Sequence, residues 1–183
     1  MKTYVIIYEG FAHFEVILAS YFLKTQGDLV TVGINSNSIV SCEGYRIIPD
    51  ITLGEVDVAE VDVLIIPGGD LEEISQDSLL HDVITRVNKQ GKVIGAICSG
   101  VYHLAKAGVL NGKGYTTTLD INKLSEFNAA YFKDENCVLD GNVITAKANG
   151  YVDFGIKLGE VMGIYEDEDD LKETIDFFKK FKC

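Results

Sequence analysis

An α/β fold with a mostly parallel sheet is what this sequence predicts, on three observations. Short apolar runs that read as strands alternate with amphipathic stretches that read as helices along the chain. Two of those runs, Val61 to Ile66 and Val93 to Ile97, are nearly continuous in Val, Ile and Leu, the pattern of strands covered on both faces. The second stops at Cys98 among Gly95, Ala96, Ser99 and Gly100, after which Val101, Leu104 and Ala105 fall at helical spacing. A strand, a nucleophile-type residue among small residues, then a helix is the pattern of a nucleophile elbow, here with Cys in place of Ser.

The elements follow in order. Lys2 to Tyr8 reads as a strand, Phe14, Ile17, Leu18, Tyr21 and Phe22 mark a helix closed by Gly27, and Asp28 to Ile34 is the next strand, so the chain opens as a βαβ unit. Ile39 to Cys42 and Tyr45 to Ile48 suit a hairpin around a two-residue Glu43-Gly44 turn. The strand Val61 to Ile66 ends in Pro67-Gly68-Gly69. Leu79 to Gln90 is an amphipathic helix with Leu80, Ile84 and Val87 inward. Past the elbow helix, which ends at Gly108, Gly114 to Thr118 reads as a strand and Ile121 to Phe127 as a short helix. Gly141-Asn142 joins Cys137–Asp140 to Val143–Ala146 in a second hairpin, since both turn residues accept positive φ. A helix from Tyr151 to Met162 follows. The acids of Glu166 to Asp170 then lead into a last helix, Leu171 to Phe181, and this order of acid before base suits the helix dipole.

With 183 residues, no repeat and no linker, a single domain over 1–183 is expected, burying about 70% of its unfolded surface. Sixteen basic against 28 acidic residues give a net charge of −12, which argues against nucleic acid or an anionic membrane as partner. No apolar run is long enough for a membrane span, and Met1 leads directly into strand-like sequence, so a cytoplasmic protein is expected. Cys42, Cys98, Cys137 and Cys183 lie far apart with no CxxC, which suggests neither a zinc site nor a disulfide framework; no metal and no cofactor is expected.

In an open α/β sheet the chemistry gathers beyond the carboxyl ends of the strands. The turns there carry Glu9 to Glu15, Pro67 to Asp70 and Cys98-Ser99. Cys98 is either the nucleophile or one more small buried hydrophobe. Gly68-Gly69 is either a plain turn or, with the N–H groups of Gly69 and Ser99, an anion hole. Glu15 either decorates a helix start or faces Cys98. If the helix start and the anion hole stabilise a thiolate, Cys98 should titrate below the ~8.5 of a free thiol; an ionised Glu15 facing it would work the other way, so the pair should hold one proton with Glu15 neutral. His81 is expected at the surface and His103 in packing. His13 is the one histidine near the predicted site, a candidate proton donor or substrate ligand.

YEGFAHFE with Glu15, IIPGG at Ile65–Gly69, AICSG at Ala96–Gly100, the following AGVLNGK and the hairpin LDGNVITAKANG together resemble the ThiJ/PfpI family of the class I glutamine amidotransferase-like superfamily. The resemblance implies a flavodoxin-like three-layer sandwich, a homodimer, an oxidisable nucleophile at Cys98 and a protonated glutamate, Glu15, bonded to it. It also implies action on small reactive aldehydes or their protein adducts, of the glyoxalase or deglycase kind, or a part in oxidative-stress response. Two departures matter. Protease-like members carry His where this chain has Ser99, and several glyoxalase-like members carry His where it reads Tyr115-Thr116-Thr117-Thr118. The last histidine is His103, so the downstream His of an amidotransferase triad is missing. A cysteine-dependent enzyme is therefore expected. A redox sensor oxidised at Cys98 to sulfinate is the alternative, and a hydrolase or amidotransferase is disfavoured.

Overall fold

The structure is a computed structural model that describes residues 1–72 and 74–182. The expectation about Cys183 therefore lies outside the described residues. Strands β1 (Lys2–Ile7), β2 (Asp28–Gly33), β6 (Val63–Ile66), β7 (Val93–Ile97) and β11 (Val143–Ala146) form the parallel body of a seven-stranded sheet. Its edges are β5 (Ile51–Thr52) beside β2 and β10 (Cys137–Asp140) antiparallel to β11, giving the order β10-β11-β7-β6-β1-β2-β5.

Helices α1 (Phe14–Lys24), α2 (Ser78–Lys89), α3 (Val101–Lys106), α4 (Tyr151–Met162) and α5 (Glu168–Phe178) flank it. Right-handed crossovers dictate the layers. From β1 the chain moves to β2 through α1, whereas from β6 it moves the opposite way to β7 through α2, so α1 and α2 take opposite faces. α4 then returns to pack on α1 and α3 packs beside α2. The direction of winding reverses between β1 and β6, and that is where an open α/β sheet leaves a crevice.

The strands form where Val and Ile can be covered on both sides: all four residues of β6 and of β11 are buried. Two glycines allow the close contacts of α4. A Cβ on Gly95 of β7 would come within 2.8 Å of the Phe154 ring, and one on Gly155 within 3.1 Å of the Ala19 nitrogen in α1. Phe154, fully buried, fills the space above Gly95; emptying it by Phe154→Ala would cost about 3–5 kcal/mol.

Several expectations are corrected. Ser41 to Tyr45 form a five-residue loop between β3 (Ile39–Val40) and β4 (Arg46–Ile47), where a two-residue turn was expected. The Ser41 N–H donates to the Tyr45 carbonyl and the Gly44 N–H to the Ser41 carbonyl, closing the loop above the Glu43-Gly44 tip. Gly114 to Thr118 yields only β8 (Gly114–Tyr115), paired with β9 (Tyr131–Phe132), because Thr116 and Thr117 spend their polar groups on Thr145, Glu135 and Cys98. Ile121 to Phe127 makes two 3-10 turns in place of a helix. α5 begins at Glu168, so its acids form the first turn: the Asp167 carboxylate accepts the Asp169 and Asp170 N–H groups as its cap. Ile17 and Tyr21, read as part of the helical pattern of α1, face outward at 51% and 63% exposure.

Candidate active site

Three strand ends meet at the crevice. β7 delivers Cys98, whose φ of +56° is left-handed, a conformation a non-glycine residue adopts at a cost of about 1–3 kcal/mol. The chain turns at once into a 3-10 turn, Cys98–Gly100, and then α3. Gly100 is required there, since a Cβ would lie 2.4 Å from the Pro67 carbonyl oxygen.

The turn after β6 lies against the sulfur. A Cβ on Gly68 would stand 2.7 Å from both the Cys98 Cβ and Glu15 Oε2, so only glycine lets this turn close over the two side chains. The turn after β1 is tied to it in turn: the Ala12 N–H donates to the Gly68 carbonyl at 2.9 Å and the Tyr8 hydroxyl to the Pro67 carbonyl at 3.1 Å. That turn starts α1 and with it Glu15.

Glu15 is 2% exposed, and its Oε2 accepts the Gly68 N–H at 2.8 Å. Its Oε2 and the Cys98 sulfur flank the same point, 2.7 and 3.1 Å from where a Gly68 Cβ would stand. Burial pushes the Glu15 carboxyl above the usual carboxylate range. The Cys98 thiol is pushed up to about 11, first by burial and then by the Glu15 charge, against the lowering effect of the Ser99 N–H and the Thr118 hydroxyl. This corrects the expectation that Cys98 titrates below a free thiol: facing an ionised Glu15, it does not. Burial raises both groups, and the Glu15 charge raises Cys98 further, because a second negative charge is costly in a dry pocket.

Ser99 and Gly69 are placed differently from the anion hole described above. The Ser99 N–H points to the Cys98 sulfur. The Gly69 N–H instead donates to Ser99 Oγ at 2.9 Å, and that hydroxyl donates back to the Gly69 carbonyl at 3.0 Å. Gly69, at φ +135°, is thus a brace for the elbow. His13 is half-buried at the start of α1, its ring set against Phe11 at 5.6 Å and edge-on to Tyr45 at 5.7 Å. Among the described residues no hydrogen bond joins its ring to Cys98 or Glu15. His103 is fully buried, with Nδ1 3.5 Å from His81 Nε2 and its pKa brought down to about 3 by burial; His81 is half-buried rather than at the surface.

Sequence reasoning missed Thr118 as a partner of the sulfur. Its hydroxyl accepts the Ala148 N–H at 2.8 Å, which leaves its own proton free to point at Cys98 Sγ. Thr117 Oγ1 donates to the Cys98 carbonyl at 2.7 Å. The signal was the run of three threonines beyond the elbow helix, which reads as strand propensity until the backbone is in place. Among the described residues, no three His, Cys, Asp or Glu side chains converge as a metal site would need.

The sequence profile of the DJ-1/PfpI family matches residues 1–160. The chain belongs to this family. A DJ-1/PfpI relative, protein dj-1beta of Drosophila melanogaster, is 34% identical over 161 residues, 85% of this chain and 86% of that one. Its crystal structure superposes with a TM-score of 0.82 at 26% identity, covering 100% of this chain and 98% of the other. A deglycase of Thermococcus kodakarensis is 32% identical over 152 residues, 82% of this chain and 92% of its own. A glutathione-independent glyoxalase of Caenorhabditis elegans is 30% identical over 151 residues, 81% of each. The seven-stranded sheet flanked by helices is accordingly the flavodoxin-like α/β fold of the DJ-1/PfpI proteins.

Proposed function

We propose that this chain is a cysteine-dependent enzyme acting on small reactive aldehydes or the adducts they form on proteins, with Cys98 as nucleophile and Glu15 as its proton partner. One observation carries the reading: a buried carboxyl group set beside the elbow sulfur under the Gly68 turn, an arrangement in which the two groups can share one proton. When that proton sits on Glu15, the sulfur is a thiolate held by the Ser99 N–H, the Thr118 hydroxyl and the glutamic acid.

With methylglyoxal, the thiolate attacks the aldehyde carbon. The S–C bond forms, the carbonyl π bond breaks, and its oxygen takes the Glu15 proton. The carboxylate left behind then removes the C–H proton of the hemithioacetal to give an enediolate and returns it to the neighbouring carbon, while the hydroxyl proton passes to the former ketone oxygen, producing a lactoyl thioester on Cys98. Water hydrolyses the thioester to lactate and restores the thiol. The names of the deglycase and glyoxalase relatives support this substrate class. The test is conversion of methylglyoxal to lactate: Cys98→Ser should lower kcat at least about hundredfold and Glu15→Gln about as much, because each removes a participant in the chemical step.

A redox sensor is the second reading, favoured by the same three donors, which would hold the oxygens of a Cys98 sulfinate. Absence of turnover, with selective oxidation of Cys98, would select it. A homodimer belongs to the proposal as well, supported by the outward apolar side chains Phe14, Ile17 and Tyr21 on α1 and Tyr45 and Ile48 flanking β4. Light scattering near twice the 20.1 kDa chain mass is the expected result. A reducing cytoplasm, which would keep Cys98 as a thiol, completes the reading.

A further inference from the structure

Glu43, at the tip of the β3–β4 loop, reaches across to the first turn of α1. Its Oε1 accepts the Phe14 N–H at 3.0 Å and its Oε2 the His13 N–H at 3.2 Å. His13, at the cap position of α1, contributes no side-chain cap of its own, so a distant loop supplies it. The residue following these two clamped N–H groups is Glu15. The loop is itself fixed to this turn: the Cys42 N–H donates to the Phe11 carbonyl at 3.0 Å, the Gly10 N–H donates to the Val40 carbonyl at 2.9 Å, and the Tyr45 ring stands edge-on to His13.

We propose that Glu43 is the positioning residue that sets both the place and the proton of Glu15, and through Glu15 the reactivity of Cys98. The inference rests on Cys98 and Glu15 being the reacting pair. Burial works to raise the Glu43 carboxyl, but hydrogen bonds from Phe14, Ser41, its own N–H and His13 bring it down to about 2, so it is a permanent negative charge at neutral pH. That charge is felt at Glu15, in the same direction as burial. The charge felt most at Cys98 is that of Glu15 itself. Of the two arrangements of the shared proton, Glu43 therefore disfavours the carboxylate more than the thiolate and tilts the pair toward glutamic acid and thiolate. The other titratable groups around the pair are Tyr8 at the end of β1, Asp70 after β6, Cys42 beside Glu43, and His13 at the clamp.

The experiment is the rate of Cys98 alkylation by iodoacetamide against pH, read by peptide mass spectrometry on the full chain, with the melting temperature of each variant alongside. Glu43→Gln keeps one of the two acceptor oxygens of the cap and removes the charge. It should lower the rate near pH 7 about two- to fivefold, the effect of one nearby charge under solvent screening, with a fall of only a few degrees in melting temperature from the lost second acceptor. Glu43→Asp retains the charge and should stay within about twofold of the parent. In a Glu15→Gln background, Glu43→Gln should change nothing further. A Glu43→Gln profile that superimposes on the parent, or a fall that persists without Glu15, overturns the inference and leaves the pair intact. Alkylation indifferent to Glu15→Gln overturns the pair and the inference together.

Discussion

The elbow after β7 and the hairpin turn after β10 each place one residue in the left-handed region, Cys98 at φ +56° and Gly141 at φ +61°. The hairpin uses glycine, which adopts that conformation without a Cβ penalty. The elbow uses a cysteine and accepts strain. The elbow also carries a half-buried thiol, and the hairpin has one at the far end of β10, with burial pushing Cys98 up to about 11 and Cys137 up to about 12. The surroundings differ. Cys98 has the Ser99 N–H, the Thr118 hydroxyl and the Glu15 carboxyl around its sulfur, while the influences on Cys137 are burial and the charges of Asp153, Lys157, Glu160 and Glu135. Burial alone makes a thiol inert. A reactive one needs donors aimed at the sulfur and a neighbour that can take its proton.

The largest expected effect tests that contrast directly. Dilute peroxide at pH 7 should oxidise Cys98 at least about tenfold faster than Cys137, as read by peptide mass spectrometry, because only Cys98 has a route to thiolate. Glu15→Leu should erase most of the difference. Equal rates for the two cysteines in the parent would make the elbow geometry irrelevant to reactivity. Next comes Gly68→Ala. Its new Cβ would sit 2.7 Å from both Cys98 Cβ and Glu15 Oε2, so the pair must part or the turn must lift. Overpacking of this kind costs about 1–3 kcal/mol, measurable by urea unfolding, and should slow Cys98 alkylation as well. Unchanged stability and reactivity would mean that the turn does not close over the pair.

How far the sequence anticipated the site follows the same division. The elbow was legible because a buried strand, small residues and a change of period are local signals, and the strand ends converge by a topological rule. The partnership of Glu15 with Cys98 was legible only as one of two readings, since a carboxylate in the first turn of a helix is usually solvated. Contacts between distant loops left no local trace. Glu43 looked like a turn residue, Thr118 like a strand residue, and Gly69 like an open donor, until the backbone fixed which N–H met which oxygen. The sign of the Cys98 shift was misjudged for a related reason: a helix start lowers a thiol's pKa, but the depth of burial and the Glu15 charge outweigh it here. The edge strand β5 and the pair β8–β9 are two residues long, too short for periodicity to reveal.

A smaller effect separates the two regions by pH. Burial raises the Glu15 pKa in the fold, so the folded state holds its proton more tightly than the unfolded chain does. The stability tied to that proton is fully present below the unfolded value of 4.5 and is lost as pH rises through the folded one. Glu15→Gln, permanently neutral, should therefore melt close to the parent below pH 4.5 and above it at pH 7. The corresponding change at the hairpin, Asp140→Asn, should give no such rise, because the Asp140 side chain accepts the Gly114 N–H at 2.8 Å and lies 4.0 Å from the Lys113 ammonium. A Glu15→Gln variant less stable than the parent at pH 7 would mean that the fold prefers the carboxylate.

The smallest effect is a reversal of sign between two cysteines replaced by the same pair of residues. At Cys98, alanine retains the left-handed strain and glycine removes it, so Cys98→Gly should be more stable than Cys98→Ala by about 1 kcal/mol, even after the extra chain entropy glycine brings to the unfolded state. At Cys137, in the strand β10, glycine has nothing to relieve and only adds that entropy, so Cys137→Gly should be less stable than Cys137→Ala by about 0.5–1 kcal/mol. Gly141→Ala supplies the control, placing a Cβ at φ +61° and losing about the same as Cys98→Gly gains. In a chain of this length each kcal/mol is about 2–4 °C in Tm, within reach of differential scanning calorimetry. If glycine proves worse than alanine at both cysteines, the elbow stores no strain, and the left-handed Cys98 costs the fold no more than the glycine of the hairpin does.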